Sequence, residues 1–96
     1  MKLIVALCIL GLTILGFYSN EARKEVYYLC GNFTQGVSYP SVIKQLDTTH
    51  LSAYTIENLQ LGKRIVHSSW LNLHLVKCNI NFNNNDLVVS AFYENP

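Results

Sequence analysis

The chain has 96 residues, of which 50% are hydrophobic, and a formal net charge of +1. This length allows one domain at most. Beyond the apolar N-terminus, six basic residues are balanced by six acidic ones. A neutral domain of this kind offers no cationic surface for phosphate groups, so we expect no nucleic-acid binding.

The first predicted element is an uncharged run of 16 residues, Leu3–Tyr18, which follows Lys2 and the amino terminus. A short positive region before an apolar stretch is typical of a secretory signal. The run is shorter than the roughly 20 residues that cross a bilayer comfortably. Its length therefore favours a cleaved signal peptide over a membrane anchor.

The cleavage site that a signal peptide requires is poorly formed in this chain. Small residues should occupy the first and third positions before the cut. A cut after Ala22 places Asn20 at the third position, and a cut after Ser19 places Phe17 there. The sequence therefore predicts either a signal peptide or an uncleaved membrane anchor over residues 1–22.

The cysteines predict the compartment in which the remaining domain, residues 23–96, is located. Cys8 lies in the middle of the apolar run and is interpreted as a small apolar residue, which leaves Cys30 and Cys78 as a pair. Such a pair in an exported domain predicts a disulfide. Its closed loop of about 49 residues would stabilise the fold by about 4 kcal/mol. Two free buried thiols are the alternative. The disulfide favours an extracytoplasmic domain, either periplasmic or secreted.

Residues Glu25–Phe33, EVYYLCGNF, are predicted to form the first strand of the domain. They are rich in side chains that favour β-structure, and these alternate along the segment. Gly31 is suited to the end of the strand or to a bulge.

A short helix is predicted to follow this strand. Ser38 can cap it, and Pro40 falls in its first turn, where a missing N–H costs nothing. Val42 and Leu46 share one apolar face, and Asp47–Thr49 favours termination of the helix. A helix of two or three turns is not stable alone, so we expect it to pack on a sheet.

The rest of the chain is predicted to form strands. Leu51–Gln60 is one candidate, and Arg64–Ser68 begins the next. Trp70–Phe82 has the strongest strand pattern in the chain, but its alternation changes phase part of the way along. A bulge, or burial of both faces, would account for the change of phase.

The last two strands are predicted to form a hairpin. Asn83–Asp86 contains residues that tolerate the left-handed region and therefore favours a turn, and Leu87–Tyr93 is the returning strand. The predicted fold class is α+β. It consists of one short helix packed on a three- to four-stranded, mainly antiparallel sheet, after the N-terminal apolar segment.

A resemblance to a known family rests on the order of three features. These are Gly36-Val37-Ser38, the helix residues Val42 and Leu46, and the segment Cys78–Val88, CNINFNNNDLV. Together they cover about 55 residues and resemble the small periplasmic SmpA/OmlA-type domains. That group includes an accessory lipoprotein of outer-membrane β-barrel assembly. The resemblance implies an α+β fold and a protein-binding role at the cell envelope.

Catalytic and metal-binding motifs are not apparent in the sequence. His67, Ser68 and Ser69 are adjacent, but neighbours in a strand point to opposite faces. The acidic residues are scattered singly, and no phosphate loop or metal motif occurs. We therefore expect a protein that is not an enzyme, without cofactor or metal ion. A hydrolase is a further hypothesis, which requires a cleft near His67 or His74.

Exposed aromatic residues are the better indication of function, since tyrosine is enriched at protein interfaces. The leading hypothesis is an exported non-enzymatic domain that binds an unidentified protein partner at the cell envelope. It would contact the membrane only through an uncleaved N-terminal segment.

The alternative is a small secreted inhibitor or immunity-type protein that occupies a partner's cleft through a loop at Leu61–Ser69. The sequon Asn32-Phe33-Thr34 is a potential glycosylation site. The candidate interface residues are Tyr27, Tyr39, Tyr54, Arg64 and Tyr93.

Overall fold

The computed structural model describes residues 1–95 and has α+β architecture, which confirms the predicted fold class. Its four strands form one antiparallel sheet in the order β1-β2-β3-β4. Within residues 1–95 the elements are α1 (Lys2–Asn32), α2 (Tyr39–Leu46), β1 (Ala53–Leu59), β2 (Gly62–Ser68), a 3₁₀-helix (Trp70–Asn72), β3 (Lys77–Phe82) and β4 (Val88–Glu94).

The strand predicted at Glu25–Phe33 is wrong, because these residues form the C-terminal part of α1. Ala22, Val26 and Cys30 are all buried and recur every four residues, which places them on one face of a helix. Extending a helix that has already formed costs less than nucleating a new one. The apolar segment therefore continues as a helix through residues that favour β-structure.

The N-terminal half of α1 projects away from the domain. All the side chains from Leu3 to Tyr18 are exposed, and the molecule is 60 Å long but only 21 Å and 18 Å across. By length and apolar composition α1 could cross a membrane, and a signal sequence would meet the same criteria. The apolar segment is therefore a helix suited to either role.

The core lies between one face of the sheet and the two helices. The Cys30–Cys78 disulfide crosses it, with a Cα–Cα distance of 5.7 Å, and confirms the predicted pairing. It joins the C-terminal half of α1 to β3. The buried apolar side chains are Ala22, Val26, Cys30, Phe33, Val42, Leu46, Ile65, Val76, Cys78, Ile80, Phe82 and Val88.

The short helix agrees with its sequence prediction. Ser38 caps α2, because its hydroxyl oxygen accepts a hydrogen bond from the backbone N–H of Ser41 at 3.4 Å. Pro40 lies in the first turn, and the helix ends at Leu46. The side chain of Thr49 then donates to the carbonyl oxygen of Leu46 at 2.9 Å, which satisfies a backbone acceptor at the helix end.

The single strand predicted at Trp70–Phe82 is wrong in its first half. Trp70–Asn72 forms a 3₁₀ turn, and Leu73 and His74 have φ angles of 59° and 58°, in the left-handed region. The strand β3 begins only at Lys77. The change of phase in the sequence therefore marks two separate structures rather than a bulge in one strand.

The hairpin predicted at the C-terminus is confirmed. β3 and β4 pair in antiparallel register, with one irregularity between Asn81 and Phe82. In the connecting turn, the side-chain oxygen of Asn83 accepts from the backbone N–H groups of Asn85 and Leu87 at 2.9 and 3.1 Å. The asparagine run therefore forms the turn through its own side chain.

One end of the sheet is where α1 leaves the domain. Ala53 pairs with Ser68, and Ser68 pairs with Lys77, so the connections at residues 47–52 and 69–76 lie at the same end. Both connections flank the helix there. We call residues 69–76 the exit loop.

Candidate functional site

A groove of about 360 Å³ lies between the C-terminal end of α1 and β4. The rings of Tyr27 and Tyr93 pack edge to face across it, with centroids 5.1 Å apart, and Tyr28 lies 5.4 Å beyond Tyr27. We call this the tyrosine groove. It is lined by Tyr27, Tyr28, Cys30, Gly31, Asn32, Ala91 and Tyr93.

The positions of these tyrosines follow from the buried stripe of α1. Val26 and Cys30 face the sheet, so the intervening Tyr27 and Tyr28 turn towards the surface, where both are exposed. Tyr93 pairs with Cys78 in the sheet register, and Cys78 is bonded to Cys30. The disulfide thus fixes the distance between the two walls of the groove.

The strand beside the groove is an edge strand. Only its start is covered, because Val88 exchanges hydrogen bonds with Gly36 and Val37 at 2.9 and 2.8 Å. Beyond Val88, the remainder of β4 pairs only with β3 among residues 1–95. Its outer backbone groups are therefore available to an incoming strand.

This free edge carries apolar side chains on both faces of the sheet, half-buried on the groove side and exposed on the other. Ala91 and Tyr93 face the groove, whereas Phe92 faces the uncovered side of the sheet and is 49% exposed. Val89, at the irregularity in the register, is 51% exposed. A long edge with this composition is unusual in a protein that works alone.

Two of the five predicted interface residues lie in the groove, Tyr27 and Tyr93, and the other three lie elsewhere. Tyr39 packs against Phe82, with centroids 5.3 Å apart, and the Lys63 ammonium lies 4.4 Å from its ring. The ring is thus engaged by an aromatic and by a cationic neighbour. The structure gives Tyr39 a role in packing at the end of the sheet opposite the exit loop.

Tyr54 and Arg64 also make contacts within the domain. The Tyr54 hydroxyl donates to the Asp47 carboxylate at 2.8 Å, and this hydrogen bond raises the pKa of Tyr54 above its usual value. Arg64 donates to Asn81 at 3.0 Å and lies 3.8 Å from the carboxylate of Glu57. Arg64 therefore belongs to a polar row on the uncovered face of the sheet.

A partly buried polar network lies between α1, the 47–52 connection and β2. The Glu25 carboxylate accepts from the backbone N–H groups of His50 and Leu51, both at 3.1 Å, and from the Ser52 hydroxyl at 2.9 Å. The Ser52 hydroxyl oxygen also lies 2.7 Å from Nε2 of His67. No local sequence pattern indicates this network, since its members are separated by up to 42 positions in the chain.

The chemistry of the network assigns the protons. As a carboxylate, Glu25 only accepts, so Ser52 donates to it. The Ser52 oxygen then accepts from His67, which is neutral and carries its proton on Nε2. Nδ1 of His67 is buried and has no partner among the described residues. Burial lowers the pKa of His67 to about 4, although the nearby Glu25 charge opposes this change.

This network differs from a hydrolytic triad in the order of its groups. In an acid–His–Ser triad the histidine lies between the other two and takes the serine proton. Here Ser52 lies between Glu25 and His67, and the His67 side chain is fully buried. The arrangement joins α1 to β2 and does not activate the serine through the histidine.

A second serine–histidine contact lies in a depression of about 380 Å³ at the exit of α1. The Ser68 hydroxyl lies 2.7 Å from Nδ1 of His74, so the hydrolase hypothesis does find a cleft beside one of its histidines. Among residues 1–95, no carboxylate is hydrogen-bonded to His74, and no cluster of three or more His, Cys, Asp or Glu could hold a metal ion. The contact provides a serine and a base without an orienting acid.

The loop predicted at Leu61–Ser69 for the inhibitor hypothesis is wrong. Gly62–Ser68 forms β2, an inner strand with β1 on one side and β3 on the other. Gly62 has a φ of 139°, and a side chain there would collide with the carbonyl oxygen of Phe82. A segment held this way cannot extend into a partner's cleft.

Asn32, from the potential sequon, is exposed on the groove wall.

The feature that distinguishes the groove, the edge position of β4, is not predicted from the sequence. The alternation of Val88–Glu94 indicated a strand but could not indicate which strand ends the sheet. Phe92 was the available signal, since a large aromatic falls on the face opposite Tyr93.

Comparison of the chain with protein-family models, with curated proteins and with solved structures found no match. The resemblance to SmpA/OmlA-type domains therefore stays a prediction.

Proposed function

We propose that this protein is a membrane-anchored, non-catalytic domain outside the cytoplasm that binds an extended segment of a partner protein. The segment adds to the free edge of β4 and places an apolar side chain in the tyrosine groove. The observation that carries this proposal is the edge strand with apolar residues on both faces beside an aromatic groove.

Strand addition supplies both affinity and specificity from features that the chain has. The backbone of an edge strand provides hydrogen bonds to any extended peptide, and an adjacent pocket selects the side chain. Tyrosine contributes contact area at low entropic cost and keeps a polar tip in water. The groove is lined without a charged side chain, so the preferred peptide residue is apolar or aromatic.

The proposal of an anchor, rather than a cleaved signal, is supported by the junction in α1. The helix runs from the apolar segment into the domain without a linker, and Ala22 is fully buried in the core. A cut after Ala22 would remove a core residue, and a cut after Ser19 would leave Ala22 near a new chain end. The disulfide supports the proposed compartment, since such bonds persist in oxidising surroundings.

The test of binding is site-specific photo-crosslinking in cells that make the full chain. A photoreactive phenylalanine analogue replaces Tyr28 or Phe92, which border the groove and the edge. The matched control replaces Leu61 in the β1–β2 turn, an apolar residue that is even more exposed than Tyr28 and Phe92. We expect one discrete heterotypic adduct from Tyr28 and Phe92, and none from Leu61.

A further variant distinguishes specific binding in the groove from non-specific association through exposed apolar residues. Ala91→Arg places a long charged side chain in the groove and should abolish the adduct from Tyr28. An adduct of twice the chain mass would show that the groove binds a second copy of this chain, and it would contradict the proposed heterotypic partner. Equal labelling from Leu61, or no adduct at either groove position, would overturn the binding proposal.

The anchor is tested separately by the intact, non-reduced mass of the protein extracted from membranes. We expect the full apolar segment together with the loss of two hydrogens for one disulfide. A chain that starts after Ser19 or Ala22 would contradict the anchor. That result would leave the binding proposal standing, because the groove lies wholly within residues 27–93.

A further inference from the structure

The exit loop exposes an unusual amount of apolar surface for a structured connection. Trp70 is 70% exposed, Leu73 is 79% exposed and Leu75 is 55% exposed. The three residues lie within six positions of one another and are not separated by any charged residue. Water is an unfavourable environment for this cluster.

The exposure does not result from a loosely held backbone. The N–H of Leu73 donates to the carbonyl oxygen of Trp70 at 3.0 Å, and that of His74 donates to Ser69 at 2.9 Å. The Ser68 hydroxyl fixes the His74 ring at 2.7 Å. Leu73 and His74 both adopt the left-handed region, which costs about 1–2 kcal/mol for each residue that is not glycine. The loop is thus held in a strained shape that points leucine outwards.

This loop lies against the last turns of the apolar segment. Leu75 shares a cleft with Gly16 and Ser19 on one side of α1. Trp70 shares the depression at the helix exit with Tyr18 on the other side. The exposed apolar cluster is therefore level with the last turns of the apolar segment, at Gly16 to Ser19.

The length of the uncharged segment determines how deep this level lies in a bilayer. Leu3–Asn20 has 18 residues without a charge, or about 27 Å of helix, against a hydrocarbon core of about 30 Å. The part that projects beyond the flanking loops, residues 3–15, measures only about 20 Å. The helix can cross the core only if residues 16–20 enter the membrane as well.

We propose that the exit loop is a second membrane contact, in which Trp70, Leu73 and Leu75 insert into the interfacial layer of the lipid beside α1. This inference rests on the proposed anchor. Tryptophan is enriched at this level of a bilayer because its ring is amphipathic. With two contacts, the domain is held at a fixed tilt on the membrane instead of pivoting about one helix.

The experiment uses the fluorescence of Trp70, the only tryptophan in the chain. The full chain is reconstituted in phosphatidylcholine vesicles whose acyl chains carry bromine at shallow or deep positions. We expect blue-shifted emission, stronger quenching by the shallow bromines than by the deep ones, and protection from aqueous iodide. The matched control is the double variant Trp70→Phe with Leu61→Trp, which moves the reporter to the opposite end of the sheet. Its emission should stay red-shifted and accessible to iodide.

The outcomes distinguish this inference from the proposal on which it rests. Chain that floats with the vesicles while Trp70 is as accessible to iodide as the Leu61→Trp reporter would overturn the exit-loop contact and leave the anchor intact. Chain that does not float with the vesicles would overturn both. Leu73→Ser in the floating protein should increase iodide access to Trp70, and an unchanged quenching curve would also contradict the insertion of the loop.

Discussion

The two halves of α1 belong to one helix but have opposite relations to the rest of the chain. From Leu3 to Tyr18 every side chain is exposed, and the surface is apolar on all sides. From Ala22 to Asn32 the helix is amphipathic, with a buried stripe against the sheet and tyrosines outside. A helix that is apolar all round needs a non-aqueous environment, whereas an amphipathic one obtains it from its own domain.

The difference between the halves shows that the junction links the surroundings of the apolar half to the orientation of the domain. Since no linker separates them, any plane that bounds the apolar half also fixes the orientation of the domain. The tyrosine groove lies on the C-terminal half, towards the far end of α1 from the exit loop. In the proposed arrangement the Tyr27 wall of the groove lies beyond the bilayer, whereas Tyr93 on the other wall also lines a cleft with His74 and Leu75 of the exit loop.

The largest expected effect breaks the attachment of the C-terminal half to the sheet. Each half of α1 carries one cysteine, Cys8 or Cys30, and only Cys30 is bonded. Cys30→Ser combined with Cys78→Ser should lower the free energy of unfolding by about 4 kcal/mol, because the closed loop no longer restricts the unfolded chain. Urea unfolding of the full chain in detergent, followed by far-UV circular dichroism, measures the change.

Cys8→Ser is the matched control for that change, since it also replaces one thiol of the same helix. Its side chain is exposed and unbonded, so the unfolding midpoint should not move. A comparable loss of stability from Cys8→Ser would show that the two halves are not independent in energy.

The same comparison explains what sequence reasoning could recover. The apolar half, the capped α2 and the Asn83–Asp86 hairpin depend on local patterns, and they were predicted correctly. The β-propensity of Glu25–Phe33 predicts a strand, but tertiary packing overrides this propensity and the segment forms a helix as far as Asn32. The spacing of Ala22, Val26 and Cys30, four residues apart, was the helical signal in competition with that propensity.

The candidate site was predictable only in part, for a related reason. Tyr27 and Tyr93 were named from residue type, but their meeting depends on the disulfide and on the order of strands. Tyr39 and Tyr54 have the same residue type and are used for packing and for a hydrogen bond to Asp47. Residue type indicates which contacts a tyrosine can make. Only the fold determines whether its side chain is engaged within the domain or is accessible to a partner.

The next prediction concerns the pH dependence of stability. It distinguishes the two halves of α1, because only the C-terminal half packs near a buried titratable residue, His67. The pKa of His67 is lowered from 6.5 to about 4 in the folded state. Between these values the unfolded chain binds more protons than the folded one, so stability is complete above pH 6.5 and falls as the pH approaches 4. The loss should reach about 3 kcal/mol.

Unfolding free energies at pH 7.5 and pH 4.5 test this expectation. His67→Gln should reduce the pH dependence, whereas His74→Gln should retain it because the His74 side chain is exposed. A steep dependence that survives His67→Gln would assign the effect to other groups. Retention of the chain in membranes, which depends on the apolar half, should not change across the same range.

The smallest effect compares two glutamates that lie one turn apart at the junction. Glu25 accepts hydrogen bonds from two backbone N–H groups and from Ser52, whereas Glu21 makes a surface ion pair with Lys24 at 3.4 Å. Glu25→Gln keeps the shape but replaces one acceptor oxygen by an NH₂ group that faces donors, so it should cost about 2 kcal/mol. Glu21→Gln should change the stability by less than about 0.5 kcal/mol, as is usual for an exposed pair.

Urea unfolding of both variants at pH 7.5 measures the contrast. Equal costs would mean that the buried stripe and the disulfide hold the C-terminal half on the sheet without a measurable contribution from Glu25. The expected inequality would instead show that the hydrogen bonds of Glu25 help to hold the C-terminal half of α1 on the 47–52 connection.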